Sequence, residues 1–202
     1  MPIIYSNKHL RKRAKSDFYP TPIEFCRAVI KEIVPEDCNP TFICDPGAGD
    51  GIWARALKEF PKYKYSIIDG IELEEKWSER PMEYDHWDIQ NFLRWYPPFY
   101  LYDLIIGNPP YSLAEKFVRH SISMLADDGY LIFLLRLAFM ESQKRYENNG
   151  LWVEFPPKFV YACVRRPSFT GNRKTDATAY GVFVWQKGFI GESILRWLDW
   201  NY

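Results

Sequence analysis

The chain is expected to fold as an α/β protein with a doubly wound, mostly parallel seven-stranded sheet and one antiparallel C-terminal strand. Three observations predict this. Short apolar runs alternate with helix-period segments along most of the 202 residues, which is the pattern of βαβ units. A glycine-rich turn, Asp45-Pro46-Gly47-Ala48-Gly49-Asp50-Gly51, joins the first such run to the next helical segment. A later apolar run, 101–107, stops at Asn108-Pro109-Pro110-Tyr111, because two prolines have no N–H for a strand ladder and each fixes its φ.

Asp17-Phe18-Tyr19-Pro20-Thr21-Pro22 reads as an extended stretch, and Thr21 before Pro22 is a helix start. Ile23, Cys26, Val29, Ile30 and Ile33 then share one helix face, ending near Val34-Pro35. A strand over 41–44 enters the glycine turn, and a helix follows over 52–60. Strands are expected over 65–71, ending at Glu72, and over 84–87, ending at Asp88; the run into Asn108 is the fourth. A helix over 112–125 leads to the Asp128-Gly129 turn and the strongest strand, 130–135. After it come a polar helix over 137–149, strands over 159–164 and 179–185, and a packed terminal helix over 194–202. No repeat, low-complexity tract or linker interrupts the chain. Residues 1–16 read as a basic arm and 17–202 as a single domain.

Bulk properties exclude several classes. With 47% hydrophobic residues, disorder is expected only at the ends. No apolar run approaches the roughly 18 residues needed to cross a bilayer, and the N-terminus lacks a signal peptide's order, so a cytoplasmic protein with no membrane partner is expected. Cys26, Cys38, Cys44 and Cys163 show no Cys-x-x-Cys pairing and His9, His86 and His120 are scattered, so neither a metal site nor a disulfide framework is indicated. Net charge is zero, yet ten of the 26 basic residues lie in two short windows, one around Arg11, Lys12 and Arg13, the other around Arg165, Arg166, Arg173 and Lys174. Such patches on a neutral body suit a phosphate backbone.

The glycine turn has the spacing of a strand-to-helix cofactor loop, where φ > 0 and close backbone approach are needed. Its Gly-x-Gly-x-Gly spacing does not meet the pyrophosphate fingerprint, and Asp45 ahead of it suits an ammonium group better than a phosphate. Glu72, 21 residues beyond Gly51, is placed to accept from a ribose diol. At the Asn108 corner, the side-chain carbonyl of Asn108 and the main-chain carbonyl of Pro109 offer two acceptors beside the Tyr111 ring. That set suits a planar group bearing an exocyclic amine.

Taken together, Asp17 to Pro22, Asp45 to Gly51, Glu72, Asp88 and Asn108 to Tyr111 resemble, in order, the motifs of S-adenosylmethionine-dependent amino methyltransferases, above all the DNA adenine-N6 enzymes of phages and restriction-modification systems. The similarity covers nearly the whole chain, and the segment from Arg166-Pro167-Ser168-Phe169 to Trp185 resembles the C-terminal part of small phage-type enzymes. The resemblance implies a class I, Rossmann-like methyltransferase fold in a bacterial or phage-infected cell, with S-adenosyl-L-methionine as cofactor. Tyr19, Thr21 and Pro22 would lie at the amino-acid end of that cofactor, and Asp45, Pro46, Gly47, Ala48 and Gly49 along its methionine part. Glu72 would bind the ribose hydroxyls, and Asp88 with Ile89 the adenine. Asn108 and Pro109 would accept from the target amine, Pro110 would stiffen the corner, and Tyr111 would stack on the target base, with Phe169 on its other face. Family members usually carry a separate target-recognition domain. None is evident here, so recognition would come from the arm, the loop 165–176, the segment 141–150, a homodimer or a separate specificity subunit. The same corner serves enzymes that methylate RNA adenine, cytosine N4 or protein glutamine, and a non-catalytic cofactor-binding subunit is a further alternative; DNA is the preferred partner.

Overall fold

The computed structural model describes residues 20–77, 79–169 and 177–200. One sheet contains β1 (Phe42–Pro46), β2 (Ile67–Glu72), β3 (His86–Ile89), β4 (Tyr102–Gly107), β5 (Leu125–Arg136), β6 (Phe159–Cys163), β7 (Tyr180–Gln186) and β8 (Ile194–Leu198). Their order is β3-β2-β1-β4-β5-β7-β6-β8. Only β7 runs against its neighbours; β1 to β5 pair in parallel and β6 pairs in parallel with β8. The order reverses between β1 and β4, and a sheet of this kind opens a crevice beyond the carboxyl ends of the strands at such a switch.

Helices α1 (Ile23–Glu32) and α2 (Ile52–Lys58) lie together on one side, and α3 (Ala114–Ser123) packs on β5. Because both faces are covered, the central strands are apolar at nearly every position. Leu104, Ile106, Ile132 and Leu134 join Phe25, Val29 and Leu57 in one core cluster. The intervening Ile105, Leu131, Phe133 and Leu135 join Phe117, Val118 and Ile122 in the other. The alternation within a continuous apolar run thus feeds two cores.

Four expectations are corrected. The tail forms strand β8, making eight strands where seven were expected: Ile194 and Leu198 alternate with Leu195 and Trp197 along the edge of β6, where β6 has backbone groups to satisfy. The polar helix over 137–149 is broken into a 3-10 turn at Leu137–Met140 and a short α4 (Gln143–Tyr146). Ser142 accepts from Arg145 N as a new cap, and Asn149 takes φ 59° before α5 (Leu151–Glu154). The strongest strand begins earlier, at Leu125, and passes through Asp128 at φ 61°, where no turn ends it. Strand β3 starts two residues late because Tyr84 N–H donates to Pro81 O in a turn and its ring is buried.

Candidate active site

The glycine turn takes positive φ at Gly47 (72°), Gly49 (55°) and Gly51 (79°), and Gly51 caps α2. Its amides are spent internally. Gly47 and Ala48 N–H donate to Ile71 O, Gly51 N–H to Ala48 O, and Gly49 N–H to Glu72 Oε2 at 2.8 Å. A loop so engaged does not form a phosphate nest, in keeping with the missing fingerprint. Glu72 Oε1 also accepts from the N–H groups of Leu73 and Glu74. An ionised carboxylate has about four acceptor positions, so Glu72 clamps the turn to the end of β2 and keeps capacity for a ligand.

Asp45 lies beneath the turn, fully buried, with Oδ2 accepting from Tyr84 OH at 2.6 Å. Oδ1 has no hydrogen-bond partner among the described residues. Burial pushes this carboxyl up to about 7, against the opposing effect of the Tyr84 bond. Cys26 and Cys44, also buried, are pushed well up by burial and are free thiols.

At the end of β4, Asn108 Nδ2 donates to Thr21 Oγ1 at 3.2 Å across 87 positions of sequence. With Nδ2 turned to Thr21, the carbonyl is the acceptor end that faces away from it. Pro109 is buried, and Leu113 N–H donates to Pro110 O as the corner turns into a 3-10 segment at Tyr111–Leu113. The Tyr111 ring lies 5.8 Å from Tyr180, and Phe169 stands edge-on to Tyr180 at 5.0 Å. Phe169 therefore reaches the corner through Tyr180. The Arg136 guanidinium lies over the Tyr111 ring at 5.0 Å.

A cleft of about 1040 Å³ runs along these groups. Thr21, Gly47, Ala48, Glu72, Asn108, Pro110 and Tyr111 line it. Pro22 instead caps α1, and Pro46 closes β1. Asp88 and Ile89 are not on the cleft wall: Asp88 Oδ2 accepts from Trp95 Nε1, and Gln90, Asn91 and Phe92 line the cleft in their place. Arg165 pairs with Asp199 on an exposed surface and Arg166 is exposed; neither lines the cleft. Tyr19, Arg11, Lys12, Arg13, Arg173 and Lys174 lie outside the described residues.

The cleft is also polarised. Acids Asp50, Glu72 and Glu74 line it on the β1–β2 side, while Lys116, Arg119, Arg136, Lys144 and Arg145 line it on the β4–β5 side, with Glu115 as the only acid there among the described residues. Sequence reading missed Arg136 and Tyr180, which face each other in the β5–β7 ladder. A signal existed for Arg136, the first polar residue at the end of the strongest apolar run. None existed for Tyr180: it opens its strand, and only the antiparallel course of β7 brings that start to the carboxyl edge of the sheet.

No protein-family model matches the chain. The type II methyltransferase M.CvrRI of Paramecium bursaria Chlorella virus XZ-6E is 28% identical over 160 residues, covering 68% of this chain and 41% of the relative. This chain thus spans less than half of that relative's length. A Listeria monocytogenes protein assigned to the class I S-adenosylmethionine-dependent methyltransferases superposes with a TM-score of 0.71, covering 95% of this chain and 69% of the other at 11% identity. The chain has the fold of the class I methyltransferases. The methyltransferase subunit of a type I restriction-modification system from Streptococcus thermophilus has the same fold, with a TM-score of 0.68, 16% identity and coverage of 89% of this chain and 47% of that one. S-adenosylmethionine is the group this methyltransferase fold implies, and the residues fit it. Asp45 and Gly49 lie behind the cleft wall, but the acids Asp50, Glu72 and Glu74 along it suit a cation, and the internally bonded turn suits a group without phosphate.

Proposed function

We propose that this chain transfers a methyl group from S-adenosylmethionine to the N6 amine of adenine in DNA, inside a bacterial or phage-infected cell. The observation that carries the reading is the Asn108 corner, held by Thr21 at the carboxyl end of β4 within a polarised cleft. An adenine amine cannot reach such a corner from within a duplex, so the base is flipped out. The bound donor supplies a methyl group on a cationic sulfur. Asn108 Oδ1 and Pro109 O accept from the amine's two hydrogens and bend its nitrogen towards tetrahedral geometry, which restores a lone pair that the ring otherwise delocalises. Positioning supplies most of the rate, and the amine loses its proton after transfer, once it is acidic. Asn108 orients and accepts; it is not a general base. Tyr111 offers a ring face for the base. The basic β4–β5 side of the cleft supports a polyanionic substrate.

The test is to incubate the purified chain with labelled S-adenosylmethionine and, separately, duplex DNA, structured RNA and protein extract, and to identify the methylated group. N6-methyldeoxyadenosine is expected. Asn108→Ala should lose transfer by at least two orders of magnitude, as for loss of a preorganised donor or acceptor at a reacting centre, while cofactor binding by calorimetry persists. Label in RNA or glutamine, or full turnover by the variant, refutes the reading.

A further inference from the structure

Strand β8 ends the sheet, and among the described residues nothing pairs with its outer edge. Its ladder with β6 decides which backbone groups face outward. Ile194 N–H donates to Lys158 O at 3.1 Å and Val164 N–H to Leu198 O at 2.9 Å. In a parallel ladder of this register, the amides and carbonyls of Ile194, Arg196 and Leu198 point to β6. Those of Leu195 and Trp197 therefore point outward. The same two residues put apolar side chains on one face, 51% and 70% exposed. Proline, a bulge or a charge directed across the edge would blunt such a strand. None is present in 193–198: the Arg196 guanidinium lies back over the Phe159 ring at 4.4 Å and donates to Tyr161 OH.

We propose that β8 pairs with β8 of a second copy of this chain, antiparallel across a twofold axis at Leu195. An isologous interface requires one residue to face itself. With Leu195 on the axis, its N–H and C=O exchange with those of Leu195 in the other copy, and Ser193 exchanges with Trp197 on either side. Leu195 and Trp197 of both copies then cover one another on one face. Arg196 comes opposite Ile194 of the second copy, with Glu192 and Arg196 of that copy as its two diagonal neighbours, whereas an axis at Arg196 would set two guanidiniums directly opposite. Because β8 runs parallel to β6 and so in the sense of β1 and β4, the two clefts open on opposite edges of the joined sheet, and each copy handles its own target. The proposal does not depend on which substrate the cleft takes.

Sedimentation equilibrium of the full chain over a micromolar concentration series should show a reversible dimer. Leu195→Lys sets two ammonium groups on the axis while leaving the β6 ladder intact, and should halve the mass with unchanged circular dichroism and with the melting of the unaltered chain at concentrations where that chain is monomeric. Leu195→Cys tests the register: hydrogen-bonded antiparallel partners have Cα atoms about 5.5 Å apart, within disulfide reach. It should oxidise to a covalent dimer, while Trp197→Cys, held away from its own copy, and the unaltered chain do not. A wild-type monomer at every concentration, a dimer indifferent to Leu195→Lys, or equal cross-linking at both positions overturns the proposal.

Discussion

At Asp45 a single side chain couples the glycine turn to the stability of the fold. Burial raises its carboxyl to about 7 from 3.8. The folded state therefore holds a proton that the unfolded chain releases between those values. Stability from this group is complete below about pH 4 and is lost as pH rises to about 7, at up to roughly 1.4 kcal/mol per pH unit. Chemical denaturation at a series of pH values should show that decline in the wild type and a shallower one in Asp45→Asn; parallel curves would refute the assignment. Asp45 and Asn108 were both legible from their motifs. Thr21 was named from its own motif, but its bond to Asn108 was not legible, nor was Tyr84 as the partner of Asp45, since each contact spans a long stretch of chain.

Among the elements, β2 and β3 lock the same region from above. Gly70 in β2 lies opposite Trp87, and a Cβ at Gly70 would stand 2.5 Å from the Trp87 ring and 2.8 Å from Tyr84. Neither ring can swing away freely, because they pack on each other at 5.0 Å and Tyr84 is bonded to Asp45. Gly70→Ala should cost about 1–3 kcal/mol by overpacking, read as a lower urea midpoint. An unchanged midpoint would mean that the rings yield easily. Strands with strong apolar runs, such as β4 and β5, were readable in sequence because burial on both faces leaves few polar interruptions. The tail was misread because Ile194, Leu195, Trp197 and Leu198 satisfy helix spacing and strand alternation about equally over so short a stretch, and only the open edge of β6 selected the strand.

For the whole molecule, charge is neutral in sum but sorted across the cleft. Lys116 and Lys144 are exposed on its basic side and form no ion pair among the described residues, whereas Arg119 and Arg145 are engaged by Glu115. If duplex DNA lies across this side, Lys116→Ala with Lys144→Ala should lower the slope of log K against log salt by about 2, measured by fluorescence anisotropy, with cofactor affinity unchanged. An unaltered slope would move the contact to the arm or to the loop 165–176. Core positions are unforgiving in the ordinary way: Ile132→Ala, at a site with no exposure, should cost about 2–5 kcal/mol by urea denaturation, and a smaller loss would mean that the site collapses.

By itself the sequence determined what is local: the glycine turn, the proline corner, the apolar strands and their alternation with helices. These are set by φ restrictions and periodicity, which act over a few residues. Only the tertiary structure decided that Thr21 holds Asn108, that Arg136 and Tyr180 flank Tyr111, that Asp88 faces Trp95 and not the cleft, and that the tail becomes an edge strand. Each of these depends on which distant segment arrives to complete a hydrogen bond or fill a face. Chain topology controls that arrival, and no local preference encodes it.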